Sequence, residues 1–353
     1  MTAHRPAMKN KTWPGDGLER APNCPLCGSS SRNLLYEGLS DRFFFVAPGE
    51  WSLWQCTRCR TAWLDPRPTE AAIGIAYGRY YTHEEVELPQ PRDAFERFRA
   101  ALGNGFRNHR YGTRLSPASP LGAPLAALLP PLRWPVDVAY RYLPRRLPGK
   151  IMRVLDIGCA NGVWLELARG AGWQVAGVEP DPVSRSRARD RGIEVRESVA
   201  DWLSKGESFD YVTISHVIEH VHDPLMLLRD SLALLRPGRG LFIDTPNIDA
   251  LGHSIYGRDW LALDPPRHLI LFNRDSLATA VSQAGFQHIR YRPRIGPFSI
   301  TSLQSRQIAA GLDPFSDESS PEMPPPPKLM QRLRALVTRH HAEYLTLTAT
   351  KPR

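Results

Sequence analysis

Apolar residues change their spacing three times along the chain. Between residues 22 and 65 they come in short runs, such as Arg42-Phe43-Phe44-Phe45-Val46, broken by Gly, Pro and Cys. That pattern predicts short strands in a compact module. From 66 to 148 prolines interrupt a helical pattern in which Leu125, Leu128, Leu129 and Leu132 recur, so a helical connector with one apolar face to cover is expected. After residue 149 strand-like runs alternate with amphipathic segments. Strands are predicted over 153–157, 174–178, 193–196, 211–215, 241–244 and 288–292, and helices over 162–169, 183–191, 224–235 and 274–284. Gly192 and Gly285 stand where helices stop, and Asp223 before Pro224 is an N-cap followed by proline at the first helical position. Leu225, Leu228, Leu232 and Leu235 are the expected buried face of that helix. Residues 343–350 alternate as a half-buried strand that closes the sheet, after an acidic, proline-ended loop over 313–328.

Strands alternating with helices imply an α/β fold with a parallel sheet covered by helices. The chain therefore divides into a module over 1–65, a connector over 66–148 and an α/β domain over 149–353. A length of 353 residues suits more than one folded unit. Its 33 prolines, against a norm of roughly 5%, fit extended connectors. The first fifteen residues are polar and basic, without the apolar core of a secretory signal, so a cytoplasmic protein is expected. The longest apolar stretch, 121–147, is broken by five prolines, which argues against a membrane span. Net charge is +9, and residues 91–150 hold eleven Lys/Arg against three acidic residues, a local +8. Such a stripe fits an anionic lipid surface, a nucleic acid or an anionic acceptor, or else a solvated linker.

The run Val154-Leu155-Asp156-Ile157 leads into Gly158-Cys159-Ala160-Asn161-Gly162, a strand, a tight turn and a helix start. Glycines let a ligand approach the backbone, and the helix start offers free amides. Glu179 stands 21 positions after Gly158, at the end of the second strand, where a carboxylate can accept hydrogen bonds from ribose hydroxyls. A nicotinamide dinucleotide site shares these features but spaces its glycines differently. Further on come Ser208-Phe209-Asp210, the run from Ser215 through His216, Glu219 and His220 to Asp223-Pro224, and Leu235-Arg236-Pro237-Gly238. In this order the motifs resemble the class I S-adenosylmethionine-dependent methyltransferases over about residues 150–300, with Ala160 in place of the family's middle glycine. The resemblance implies a Rossmann-like sheet of six parallel strands and one antiparallel strand. It also implies a cofactor bound by Asp156, Gly158, Ala160, Gly162 and Glu179, with the adenine near Ser198, Val199 and Ala200.

His216, Glu219 and His220 end the fourth strand, where this fold places its acceptor, and His268 is a further candidate. Histidine suits proton removal near neutral pH. The run is also similar to a Glu-x-x-Glu-His metal site of ubiquinone-pathway and small-RNA methyltransferases, so a second divalent ion at these residues is the alternative to direct base catalysis. Cys24-Pro25-Leu26-Cys27 and Cys56-Thr57-Arg58-Cys59 supply two thiolates each, the donor set of a structural zinc in a zinc-ribbon-like module. The sequence thus describes a methyltransferase acting on oxygen or carbon of a small molecule: a sugar, a quinone-like ring or another secondary metabolite. An RNA methyltransferase that grips nucleic acid through the zinc module and connector is the first rival, and a non-enzymatic cofactor-binding scaffold the second.

Overall fold

The computed structural model describes residues 12–78, 93–147, 149–294, 297–316, 319–327 and 339–353. In the N-terminal part, β1 (Leu18–Glu19) pairs with β5 (Arg67–Pro68), while β2 (Arg32–Leu39), β3 (Trp51–Cys56) and β4 (Ala62–Leu64) form an antiparallel meander. Residues 42–46, expected as a strand, are instead a loop around Asp41. Its carboxylate accepts from the amides of Phe43, Phe44, Val46 and Ala47 and uses up the donors a strand would need.

The connector is mostly built of α1 (Ala94–Tyr111), α2 (Gly122–Leu128) and α3 (Trp134–Ala139). Asp93 caps α1, accepting from the amide of Glu96. Helices α1 and α2 touch backbone to backbone: a β-carbon on Gly105 would lie 1.8 Å from the Ser119 carbonyl oxygen, and one on Gly122 2.1 Å from that of Leu102. The face turned to the core carries Phe106, Ala126, Val136, Tyr140 and Leu143, whereas the predicted leucine stripe stays exposed at Leu128, Leu129 and Leu132.

The α/β part follows as β6 (Arg153–Ile157), α4 (Val163–Gly170), β7 (Gln174–Val178), α5 (Pro182–Asp190), β8 (Glu194–Arg196), α6 (Val199–Leu203), β9 (Phe209–Ser215), α7 (Pro224–Leu234), β10 (Leu235–Pro246), α8 (Leu251–Tyr256), β11 (Ile270–Leu271), α9 (Arg274–Gln283), β12 (Gln287–Tyr291), α10 (Pro297–Ala309) and β13 (Tyr344–Thr350). The seven-stranded sheet runs β12-β13-β10-β9-β6-β7-β8, with β13 antiparallel to both neighbours, which is the predicted arrangement. Alternate residues serve opposite faces. Leu155, Val212 and Ile243 join a core that continues into Trp51, Trp63 and Leu53, while Val154, Tyr211 and Phe242 pack with the connector.

Three details depart from the pattern reading. Strand β13 lies inside the sheet, so Thr346 and Thr348 are buried along with Leu345 and Leu347. Asp223 and Pro224 do start α7, but its fully buried face is Leu227, Leu228, Ser231 and Leu234, with Leu225 and Leu232 half-buried beside it. Strand β10 also begins earlier than 241, because residue 235 already pairs with β9 before a break at residues 236–239. No helix among the described residues is long and apolar enough to cross a membrane.

Strand β11 leaves the α/β part and pairs with β4, giving a second sheet of order β11-β4-β3-β2. Beside that seam lies the fully buried Arg267. It binds Asp41 at 2.5 and 3.1 Å, Asp264 at 2.5 and 3.0 Å, and the Ala76 carbonyl at 3.0 Å. Removing one partner of a buried ion pair strands the others without water. Arg267→Met is therefore expected to cost about 3–5 kcal/mol of stability. Denaturant unfolding of the full chain checks this, and a loss well under 1 kcal/mol would contradict it.

Candidate functional site

The turn after β6 is shaped by three residues at positive φ: Gly158 at 73°, Ala160 at 49° and Gly162 at 82°. A β-carbon on Gly158 would lie 2.3 Å from Val217 Cγ2, and one on Gly162 2.7 Å from Ile193 Cδ1, so both positions need glycine. Ala160 accepts the left-handed conformation, a cost of roughly 1–2 kcal/mol. Its amide donates to Glu179 Oε2 at 2.8 Å, and the Asp181 amide donates to Oε1 at 2.9 Å. Burial pushes the Glu179 carboxyl above its ordinary range, with these two amides opposing it. Ser198 caps α6 through a reciprocal pair of bonds with Asp201, so Ser198, Val199 and Ala200 stand just beyond the end of β8. Cys159 fits against Gly177 as a buried side chain.

Asp156 is fully buried, and burial raises its carboxyl. Its Oδ1 accepts from Thr213 Oγ1 at 2.7 Å and from Arg141 Nη1, while Oδ2 has no hydrogen-bond partner. Arg141, after α3, also stacks over the Trp164 ring at 4.0 Å. The connector thus puts a cation beside the cofactor turn. No motif marks Arg141 in the sequence, because its position depends on how α3 packs.

The second group lies at the ends of β9 and β10. The backbone turns at His216, φ 54°, whose amide donates to the Asp244 carbonyl at 2.7 Å. The His216 ring lies between Glu219 Oε1, 3.4 Å from Nδ1, and Asp244 Oδ2, 3.3 Å from Nε2. Asp244 also pairs with Arg294, whose guanidinium stacks on Tyr344 at 4.4 Å. Asp244, Arg294 and Tyr344 are site neighbours that the sequence motifs do not point to.

Glu219 is fully buried. Its Oε2 accepts from Thr245 Oγ1 at 2.9 Å, and its Oε1 faces His216 Nδ1 at 3.4 Å. Burial works to raise this carboxyl, but the adjacent histidines outweigh it and hold Glu219 at about 2. The Glu219 carbonyl accepts from Leu269 and Ile270, which brings the 264–268 loop alongside. The rings of His220 and His268 then meet edge to face, with centroids 4.7 Å apart. Each histidine places Nδ1 on a backbone carbonyl: His220 on Arg267 at 3.0 Å, His268 on Ala262 at 2.8 Å. A carbonyl only accepts, so a ring that uses this contact donates from Nδ1, and in its neutral form the lone pair then sits on Nε2. Burial lowers His220 to about 4, which keeps it neutral at physiological pH. Tyr77 of the connector, another residue without a motif, places its hydroxyl 3.0 Å from His220 Nδ1.

The four predicted catalytic side chains are therefore neighbours, and ligand atoms of Glu219, His220 and His268 lie within 4.8 Å of one another. In the N-terminal part, Cys24, Cys27, Cys56 and Cys59 converge equally closely, with Sγ separations of 3.5 Å for Cys24–Cys59 and 3.6 Å for Cys27–Cys56. Tetrahedral bonds of about 2.3 Å require sulfurs about 3.8 Å apart, so the four thiols can hold one ion. Both knuckles fold alike: the amides of Gly28 and Arg60, each at positive φ, donate back to the carbonyls of Cys24 and Cys56.

Residues 118–291 match a family model described as a methyltransferase domain. The ubiquinone biosynthesis O-methyltransferase of Xanthomonas axonopodis pv. citri is 34% identical over 149 residues, which is 39% of this chain and 59% of that protein. Its namesake in Chelativorans is 31% identical over 151 residues, covering 39% and 60%. The chain thus spans less than two thirds of the curated relatives it matches. Among solved structures, a SAM dependent methyltransferase from Archaeoglobus fulgidus is 17% identical, with TM-score 0.41, over 64% of this chain and 94% of that one. The family model gives the chain a methyltransferase domain over residues 118–291, and its sheet order and glycine turn with two carboxylates are those that the resemblance to the class I, S-adenosylmethionine-dependent methyltransferases implied.

Proposed function

We propose that the protein methylates an oxygen or carbon atom of a small acceptor, such as a sugar, a quinone-like ring or another secondary metabolite, with His220 as the proton acceptor. The supporting geometry is the His220 ring, held at Nδ1 by the Arg267 carbonyl and the Tyr77 hydroxyl beside Glu219 and His268, at the strand ends next to the glycine turn. The relatives' name, ubiquinone biosynthesis O-methyltransferase, favours a hydroxyl oxygen as the acceptor atom.

The cofactor pocket reading rests on chemistry already in place. Asp156 Oδ2 is buried and lacks a protein donor, and the Glu179 oxygens have lone pairs left beyond their two amides. Gly158, Ala160 and Gly162 shape the wall that approaches the ligand, with Ser198, Val199 and Ala200 on the adenine side. Arg141 is suited to the carboxylate of the methionine moiety. When bound, S-adenosylmethionine supplies a methyl group on a sulfonium, which needs an aligned acceptor more than further activation. The chain's own part is to hold that acceptor and take its proton at His220 Nε2, with Tyr77, Glu219 and His216 fixing the ring's surroundings.

A second reading has its own support. Two histidines and a buried carboxylate whose ligand atoms lie within 4.8 Å of one another form a donor set for a divalent ion. The carbonyls behind each Nδ1 are the outer contacts such a site uses. When bound, the ion would supply a Lewis acid, and Glu219, His220 and His268 would hold it. For the cysteine site, the donors and spacing favour structural zinc.

Three outcomes follow. Glu179→Ala and Asp156→Asn should each weaken S-adenosylmethionine binding by about tenfold or more in calorimetry while circular dichroism stays unchanged. Unaltered affinity in both would refute the pocket.

With an acceptor found by screening hydroxylated small molecules, His220→Ala should lower turnover by roughly 10²-fold to 10⁴-fold with cofactor affinity kept. Chelation that stops turnover reversibly while the cysteine-bound metal stays in place would select the metal reading over the direct base. Normal turnover in both His220→Ala and His268→Ala would remove the catalytic role altogether.

Metal analysis should find about one zinc per chain, lost in Cys24→Ser or Cys56→Ser. Because β4 pairs with β11, that loss should lower the melting temperature of the whole chain and not of the N-terminal part alone. A folded, zinc-free wild type would overturn the assignment.

A further inference from the structure

The surface of α1–α3 concentrates two properties that rarely coincide. Of the 17 exposed large hydrophobic side chains among the described residues, nine lie between 95 and 151. The same region carries nine arginines against Asp93, Glu96 and Asp137 over residues 93–147, a net +6. On α2, Leu121, Leu125 and Leu128 follow each other at spacings of four and three, and Leu129 and Leu132 continue the apolar surface in the turn after it. Leu128 is 76% exposed, Leu132 58%, Leu121 57% and the adjacent Leu129 54%. Beside these leucines a groove of about 720 Å³ opens between α1 and α2–α3, floored by Leu102, Phe106, Leu125 and Val136 and edged by Arg99 and Arg107. The glycine contacts between α1 and α2 fix this shape in advance.

A leucine surface flanked by arginines narrows the choice of partner. A second copy of the same face would oppose net positive charge with net positive charge. A single-stranded nucleic acid calls for a row of aromatic platforms, and this face exposes two rings, Phe95 and Phe98 on α1, against the four leucines Leu121, Leu128, Leu129 and Leu132. An anionic lipid bilayer satisfies both halves, since leucines can enter the acyl region while guanidinium groups meet lipid phosphates. We propose that the α1–α3 face docks the protein onto an anionic membrane surface, with Leu121, Leu128, Leu129 and Leu132 inserted, Arg99, Arg107 and Arg133 at the phosphate level, and the groove open to one acyl chain. The inference goes beyond the methyl-transfer reading and uses none of the catalytic cluster, so each can fail alone.

Co-sedimentation of the full-length protein with phosphatidylcholine vesicles, and with vesicles containing phosphatidylglycerol, tests it. Binding is expected only to the anionic vesicles, weakening steeply from about 50 mM to about 500 mM salt. The double variant Leu128→Glu/Leu129→Glu should reduce binding by about tenfold or more, and Arg99→Gln/Arg133→Gln should reduce it while leaving the leucines in place. Both should keep wild-type S-adenosylmethionine affinity, which shows that the fold persists. Equal binding to neutral and anionic vesicles, or retention by both variants, would overturn the proposal. So would displacement from vesicles by a single-stranded oligoribonucleotide at equal charge, or a wild-type dimer that Leu128→Glu/Leu129→Glu splits in sedimentation equilibrium.

Discussion

A fully buried guanidinium tolerates few arrangements, and Arg267 has a demanding one. Its charge is held between Asp41 from the N-terminal part and Asp264 from the α/β part, and it also meets the Ala76 carbonyl near the start of the connector. None of the three charged groups reaches enough water to stand alone, so the geometry of each part depends on the other two. Burial alone would raise the Asp41 carboxyl. Arg267 and the amides of Val46 and Ala47 hold it lower, which keeps the loop carrying Phe43 and Phe44 in place.

That constraint reaches the chemistry over a short path. The Arg267 carbonyl meets His220 Nδ1, and the next residue along is His268. Ala76, whose carbonyl Arg267 binds, precedes Tyr77, whose hydroxyl meets the same His220 ring. Support for the histidine cluster thus comes from segments nearly two hundred positions apart, and the cysteine-rich part shares one core with the seven-stranded sheet. The connector serves the other side of the pocket: α3 packs Val136, and just beyond it Tyr140 and Leu143, onto the sheet and delivers Arg141 to Asp156.

The legible parts of the sequence were those fixed by local rules. A left-handed turn needs Gly158 and Gly162, a helix start rewards Asp223 and Pro224, and paired knuckles bring thiols together. Hydrophobic alternation placed β6, β7 and β9 within a residue or two, while β10 starts six residues before its predicted onset. It failed where a tertiary contact outweighed it. Asp41 turned a phenylalanine run into a loop, and insertion of β13 between β10 and β12 buried threonines that alternation would have left wet. The Leu125 to Leu132 spacing correctly marked helical structure but not its burial, because periodicity records that a face is apolar and not what lies against it.

By itself, then, the sequence determined the α/β class, the glycine turn after β6, the His216 to His220 run and the cysteine knuckles, because each depends on residues close together in the chain. Only the tertiary structure decided that His268 reaches Glu219 and His220, that Tyr77 meets His220, Arg141 meets Asp156 and Arg294 meets Asp244, and that β11 pairs with β4. Those relations come from long-range packing and from the need to pair every buried charge, and no local pattern encodes which distant residue will supply the partner.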